Sequence, residues 1–161
     1  MKLKRLLGVL ALGLAVVTLA ACGQKSTENV IKNELKDSYT GYSNARSYDG
    51  KIFKEGSDTL TFDKKANTIT NSDDYQIYFS VVSDKDKTSE IKSVLKELDS
   101  ELSNTDNFTI AISRRVKNPT VDNATAFYQI ALSDGGKTIK IYELRRNPRD
   151  YGYYEFSGES A

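Results

Sequence analysis

Residues 125–144, Thr125-Ala-Phe-Tyr-Gln-Ile-Ala-Leu-Ser-Asp-Gly-Gly-Lys-Thr-Ile-Lys-Ile-Tyr-Glu-Leu144, decide the fold. Two strand-like runs, 125–132 and 138–144, flank Ser133-Asp134-Gly135-Gly136, a strong hairpin signal because glycine accepts positive φ at little cost. Working outward, the same short alternating text divided by turn residues predicts strands near 50–54, 59–63, 67–71, 75–82, 108–116 and 153–156. Lys64, Lys65, Ala66 and Asn67 make one tight connection. In 75–82 the residues Tyr75, Ile77, Phe79 and Val81 share one face, with Gln76, Tyr78 and Ser80 on the other, so that strand is half buried. One helix interrupts the strands. Ile91, Val94, Leu95, Leu98 and Leu102 recur at helical spacing over 86–102, with Asp86 placed to cap the start and Asn104 near the end. The expected class is α+β, mainly antiparallel β: about eight strands in a meander, as a barrel or strongly curved sheet, with one amphipathic helix near 86–103.

Composition bounds the chemistry. The chain has 161 residues, 39% apolar and 28% charged, with 23 basic and 22 acidic side chains, one Cys, no His and no Trp. Length argues for one domain, and a mean hydropathy of -0.51 excludes an integral membrane bundle. Without His, Ser-His-Asp and Cys-His nucleophile systems and nearly all zinc sites are excluded.

The N-terminus has the three-part layout of a secretory signal. Lys2, Lys4 and Arg5 precede an uncharged apolar run, residues 6–19, that ends in small residues. At about 14 residues the run is shorter than the roughly 20 needed to cross a bilayer core. Leu19, Ala20, Ala21 and Cys22 follow, and here the chain resembles the lipobox of bacterial lipoproteins at every position. That resemblance implies a diacylglyceryl group on the Cys22 thiol, cleavage between Ala21 and Cys22, and a mature chain that begins at the lipidated cysteine. Two acyl chains on one residue give stable membrane retention where one is marginal. Cys22 is the only thiol, so no disulfide forms within the chain. The organisation read from the text is a leader over 1–21, a lipidated Cys and polar tether over 22–46, and one β domain with a helix over 47–161. The tether is expected to hold a turn or two of helix and, if flexible, to reach about 25–30 Å.

The body is similar to the small lipocalin-like lipoproteins of Gram-positive bacteria, notably in Thr59-Leu60-Thr61-Phe62-Asp63 and Gly135-Gly136-Lys137-Thr138-Ile139-Lys140-Ile141-Tyr142. Catalytic text is weak beside it. Ser89 with Lys92, and Ser93 with Lys96, fit the S-x-x-K spacing of penicillin-recognising enzymes, but the companion motifs lack their Asn and Gly, and a solvated helix face explains the spacing. Asp84, Asp86 and Glu90 suggest a calcium loop, yet Ser89 and Leu95 stand where the loop needs Gly and Glu; acids at a helix start account for them. Asp73 and Asp74 could be named as a glycosidase pair only if their separation were known. No enzyme, metal or cofactor is expected.

Charge is uneven. Residues 1–21 carry three of the cations, leaving 140 residues with 20 basic and 22 acidic groups, yet residues 107–149 alone hold 8 basic against 3 acidic. Arg114, Arg115, Arg145, Arg146 and Arg149, with Tyr142, Tyr151, Tyr153 and Tyr154 nearby in sequence, read either as a face for an anionic envelope polymer, headgroups or an acidic protein, or as solvated strand edges and loops. If both lie in a strand, Arg114 and Arg115 point to opposite faces, which dilutes such a face. Nucleic-acid binding has neither global basic charge nor a motif. The expected role is a non-catalytic binding or accessory module, held by its lipid to the extracytoplasmic side of the cell membrane. A lipocalin-like carrier of an apolar ligand and a small envelope hydrolase are the alternatives.

Overall fold

The computed structural model describes residues 25–43, 52–145 and 155–161. Eight antiparallel strands follow in chain order: β1 (Ser38–Ser43), β2 (Gly56–Asp63), β3 (Thr68–Thr70), β4 (Gln76–Val81), β5 (Asp106–Ser113), β6 (Ala126–Ser133), β7 (Thr138–Glu143) and β8 (Glu155–Glu159). Each pairs with its sequence neighbour, and β8 returns to β1, so the meander is a closed barrel. The barrel resolves the choice left by the text, which an open curved sheet would satisfy equally well.

Alternation decides what fills the interior. Cross-strand pairs Tyr39 with Leu60, Phe62 with Ile69, Ile69 with Ile77, Phe79 with Ile112, Phe108 with Ile130 and Ile130 with Ile141 all point inward. Every one is buried, at roughly 1.5–3 kcal/mol of transfer free energy per large side chain. An eight-stranded barrel is just wide enough for side chains to fill. Aromatic rings do much of the filling: Phe62 meets Tyr39 and Phe79 edge-on, and Phe53 packs against Tyr128 with centroids 4.8 Å apart.

Both ends are stoppered. Ile52 and Phe53 enter the core at the end where β2 begins. Asn71 holds them there: its side-chain amide donates to the Ile52 carbonyl, while its Oδ1 accepts from the Asp73 and Tyr75 amides. The apolar pair that reads as a strand near 50–54 is therefore a plug, and residues 50 and 51 lie outside the described residues. At the other end α1 (Thr27–Asn29), capped by Ser26, runs on into a wider π-type turn (Val30–Glu34) that buries Val30 and Leu35. This segment crosses the mouth from rim to rim. Lys25 bridges Glu34 and Asp106, each at 2.9 Å, Lys64 donates to the Leu35 carbonyl, and the Tyr39 hydroxyl donates to Gly136 while accepting from the Lys36 amide. Gly136 lies so close that a Cβ there would sit 1.7 Å from the Glu34 carbonyl oxygen.

The described part of the stretch read as a tether is thus folded: helical turns, as expected, then β1, which is unexpected. Ser38-Tyr-Thr-Gly-Tyr-Ser43 presents Tyr39, Gly41 and Ser43 inward, too little apolar alternation to read as a strand. The reason is the seam. Gly41 faces Gly158, and a Cβ on Gly41 would lie 2.0 Å from the Ser157 carbonyl oxygen and 2.5 Å from the Gly158 Cα. A larger residue would hold β1 and β8 apart.

The helix is shorter than its periodicity. Thr88, not Asp86, caps it by accepting from the Ile91 amide; α2 (Ser89–Glu97) yields at Leu98 to a last turn, α3 (Asp99–Leu102). Asp86 instead accepts from the Ser83 hydroxyl. Ile91, Val94 and Leu98 pack on the outer face of the sheet, against Ala131, Tyr142 and Leu144.

Two predictions follow from the seam and the stopper. Gly41→Ala should lower stability by about 1–3 kcal/mol through overpacking, whereas Ala at solvent-facing Thr61 should cost less than ~1 kcal/mol; urea unfolding compares them. Lys25 titrates above its ordinary 10.5 because of its hydrogen bonds to Glu34 and Asp106. Its contribution is in place below pH 10.5 and is lost as pH rises through the higher folded value. Amide-exchange protection over residues 30–36, taken relative to the intrinsic rate at each pH, should fall only beyond that point.

Candidate functional site: the basic end of the barrel

In an up-and-down barrel the odd strands end where the even strands begin. β5 and β7 flank β6, so the segments that leave Ser113 and Glu143 emerge at one end, on either side of β6. Arg114 and Arg115 follow β5 directly, Arg145 follows β7, and all three are exposed. Arg146 and Arg149 lie outside the described residues, as do Leu19, Ala20, Ala21, Cys22, Tyr151, Tyr153 and Tyr154.

The expectation that Arg114 and Arg115 occupy opposite faces of a strand is corrected. β5 stops at Ser113, whose hydroxyl accepts from the Arg115 and Val116 amides and turns the chain. The loop then folds over the outer face of β4. Asn118 takes a left-handed conformation, the Ser80 hydroxyl donates to the Pro119 carbonyl, and the Asn123 side chain accepts from the Thr120 amide. This lays the Arg114 guanidinium 5.0 Å from the Tyr75 ring centroid and the Lys117 ammonium 5.9 Å from that of Tyr78. A ring face orients a cation without cancelling its charge. Among the described residues no carboxylate forms an ion pair with Arg114, Arg115 or Lys117. At the opposite end Lys25, Lys64 and Lys87 are each paired with an acid, and Lys32, Lys36, Lys65, Lys85 and Lys137 form no ion pair among the described residues but have no ring face to orient them. The sequence pointed to the arginines but not to Lys117, Tyr75 or Tyr78, whose part depends on where the loop lies.

Asp58 is a second feature of this end. It faces inward beside Gly41 and is 5% exposed. Its Oδ1 accepts from the Thr59 and Ser72 amides, while Oδ2 has no hydrogen-bond partner. Lys54, bonded to Asp73 at 2.6 Å, titrates above its ordinary 10.5 through that bond, with a smaller contribution from the Asp58 charge. An inward carboxylate cannot be told from the many surface acids by sequence.

The other residues singled out by sequence do not converge. Ser89, Lys92 and Lys96 are exposed on the solvent side of α2. Asp84 pairs with Lys87 at 2.7 Å, which holds its carboxyl below the ordinary 3.8. Among the described residues no group of three His, Cys, Asp or Glu side chains could hold a metal.

A cleft of about 760 Å³ lies between the C-terminal part of the helix and the β6–β7 hairpin, and one of about 520 Å³ lies beside Lys25 and the β4 exit. A smaller one of about 230 Å³ holds Arg145, Thr125 and Glu90. The mid-barrel residues Leu60, Ile69, Ile77, Ile130 and Ile141 line none of these. No family model, curated protein or solved structure matches the chain.

Asp58→Ala should cost about 1–3 kcal/mol by stripping two amides of their acceptor. Asp58→Asn keeps that acceptor and removes a buried charge, so it should cost less than ~1 kcal/mol. Equal losses in thermal unfolding would refute this account of Oδ1.

Proposed function

We propose that the chain is a lipid-anchored binding module of the bacterial cell envelope, held through Cys22 on the extracytoplasmic face, which engages an anionic partner at the basic end of its barrel. One observation carries the binding part of this reading: Arg114, Arg115 and Lys117 are arranged by a tied-down loop and by ring faces, yet are not neutralised by described carboxylates. Charge left open on a rigid platform suits recognition of carboxylate or phosphate, for which Arg offers a planar fork of donors. The complete lipobox supports the anchor, since the lone thiol takes the lipid and two chains suffice for retention.

An apolar-ligand carrier is the second reading. It draws on the barrel itself and on the unpartnered Asp58 oxygen at one mouth, and it requires Ile52 and Phe53 to leave the interior. Native mass spectrometry of protein from its host would favour it if lipid copurified on the domain.

Fractionation tests the anchor. Wild-type chain should sediment with membranes, and Cys22→Ala should lose most of that association. Unchanged retention of the variant would refute lipid attachment at this residue.

A further inference from the structure

The position of Lys25 determines how such a lipoprotein stands. Only three peptide units separate Cys22 from Lys25, a span of at most about 11 Å. Lys25 is fixed by two ion pairs to the barrel end closed by α1 and the π-type turn. The tether between lipid and folded body is therefore a fraction of the length read from composition, and it leaves from one particular end. Arg114, Arg115 and Lys117, which form no ion pair among the described residues, sit at the other end. β5 joins the two, with Asp106 of the Lys25 clamp at its start and Arg114 just past its finish. Eight residues at about 3.3 Å, tilted by roughly 40°, give an axial length near 20 Å. That is more than two Debye lengths at physiological salt, about 8 Å each.

We infer that the chain stands on the membrane by its Lys25 end and presents Arg114, Arg115 and Lys117 outward, to a linear polyanion of the envelope and not to the headgroups of its own bilayer. The inference rests on lipidation of Cys22. Among the membrane-proximal cations, Lys25, Lys64 and Lys87 are taken up by Glu34, Asp106, Asp37 and Asp84, while exposed Lys32, Lys65, Lys85 and Lys137 form no ion pair among the described residues, so the orientation rests on the short tether and not on charge. The distal acids Glu55, Asp74 and Asp122 form no ion pair with Arg114, Arg115 or Lys117.

Because Cys22 is the lone thiol and its lipid consumes it, an introduced cysteine is a unique reporter. Full-length lipidated protein carrying Lys65→Cys, in the β2–β3 turn of the proximal end, or Asp122→Cys, in the distal loop, is labelled with a fluorophore. It is reconstituted into phosphatidylglycerol and phosphatidylcholine vesicles containing nitroxide-headgroup lipid. Quenching at residue 65 should exceed that at residue 122 by about fivefold or more, because a nitroxide quenches only at short range and the two ends lie about 20 Å apart along the barrel axis. Equal or reversed quenching with Cys22 shown by mass analysis to be lipidated overturns the orientation alone; an unmodified Cys22 overturns the anchor as well.

In the same vesicles, inorganic polyphosphate should bind the anchored protein and lose about tenfold in affinity when Arg114, Arg115 and Lys117 are all replaced by Gln, with the quenching pattern unchanged. Absence of polyphosphate binding, or the same affinity in the triple variant, overturns the partner assignment. Circular dichroism of the variant guards against misfolding, and all three side chains are exposed.

Discussion

The close approach of β1 to β8 is the constraint on which the molecule depends. Without that seam the eight strands form an open sheet with two bare edges, and the inward side chains on either side of it lose their partners across the barrel. Gly41 and Gly158 make the approach possible. The Phe156 ring covers the space that a side chain on Gly158 would need, its nearest carbon only 2.6 Å from where a Cβ would be. The aromatic bulk missing from one inward position is thus supplied from a neighbouring one.

From closure comes the division of the molecule into two unlike ends. One is roofed by the chain's own N-terminal segment, tied to the β2–β3 turn, the β6–β7 hairpin and the start of β5. The other takes an apolar plug from the β1–β2 connection and sends out the loops after β5 and β7. A meander of this kind separates residues by the parity of the loop they occupy. Arginines some thirty residues apart in sequence come to one end because both follow odd-numbered strands.

β2 and β4 were legible because each buries one face and shows most of the other to water, and β5 to β7, whose outer faces are covered as well, because Phe108, Ile110, Ile112, Tyr128, Ile130, Leu132, Ile139 and Ile141 still alternate inward. β1 was not, since Tyr39 is its only large inward side chain and the seam forbids more. Ile52 and Phe53 misled in the opposite direction: an apolar pair reads as half a strand whether it lies in a ladder or plugs a mouth. The helix was legible from Ile91, Val94 and Leu98, but its first residue was not, because Asp86 and Thr88 are both competent caps and only the packed position of Ile91 favours Thr88. For the candidate site, the sequence supplied the excess of positive charge. What it could not supply was that Ser113 ends β5, which determines whether Arg114 and Arg115 share a surface.

The seam also bears on how such a chain matures. Its two strands come from opposite ends of the described sequence, so the barrel stays incomplete while β8 is unmade, and a topology dominated by distant pairings matures slowly. A polypeptide with that property keeps two bare strand edges until its last strand is available, so the final residues decide when the barrel acquires its shape.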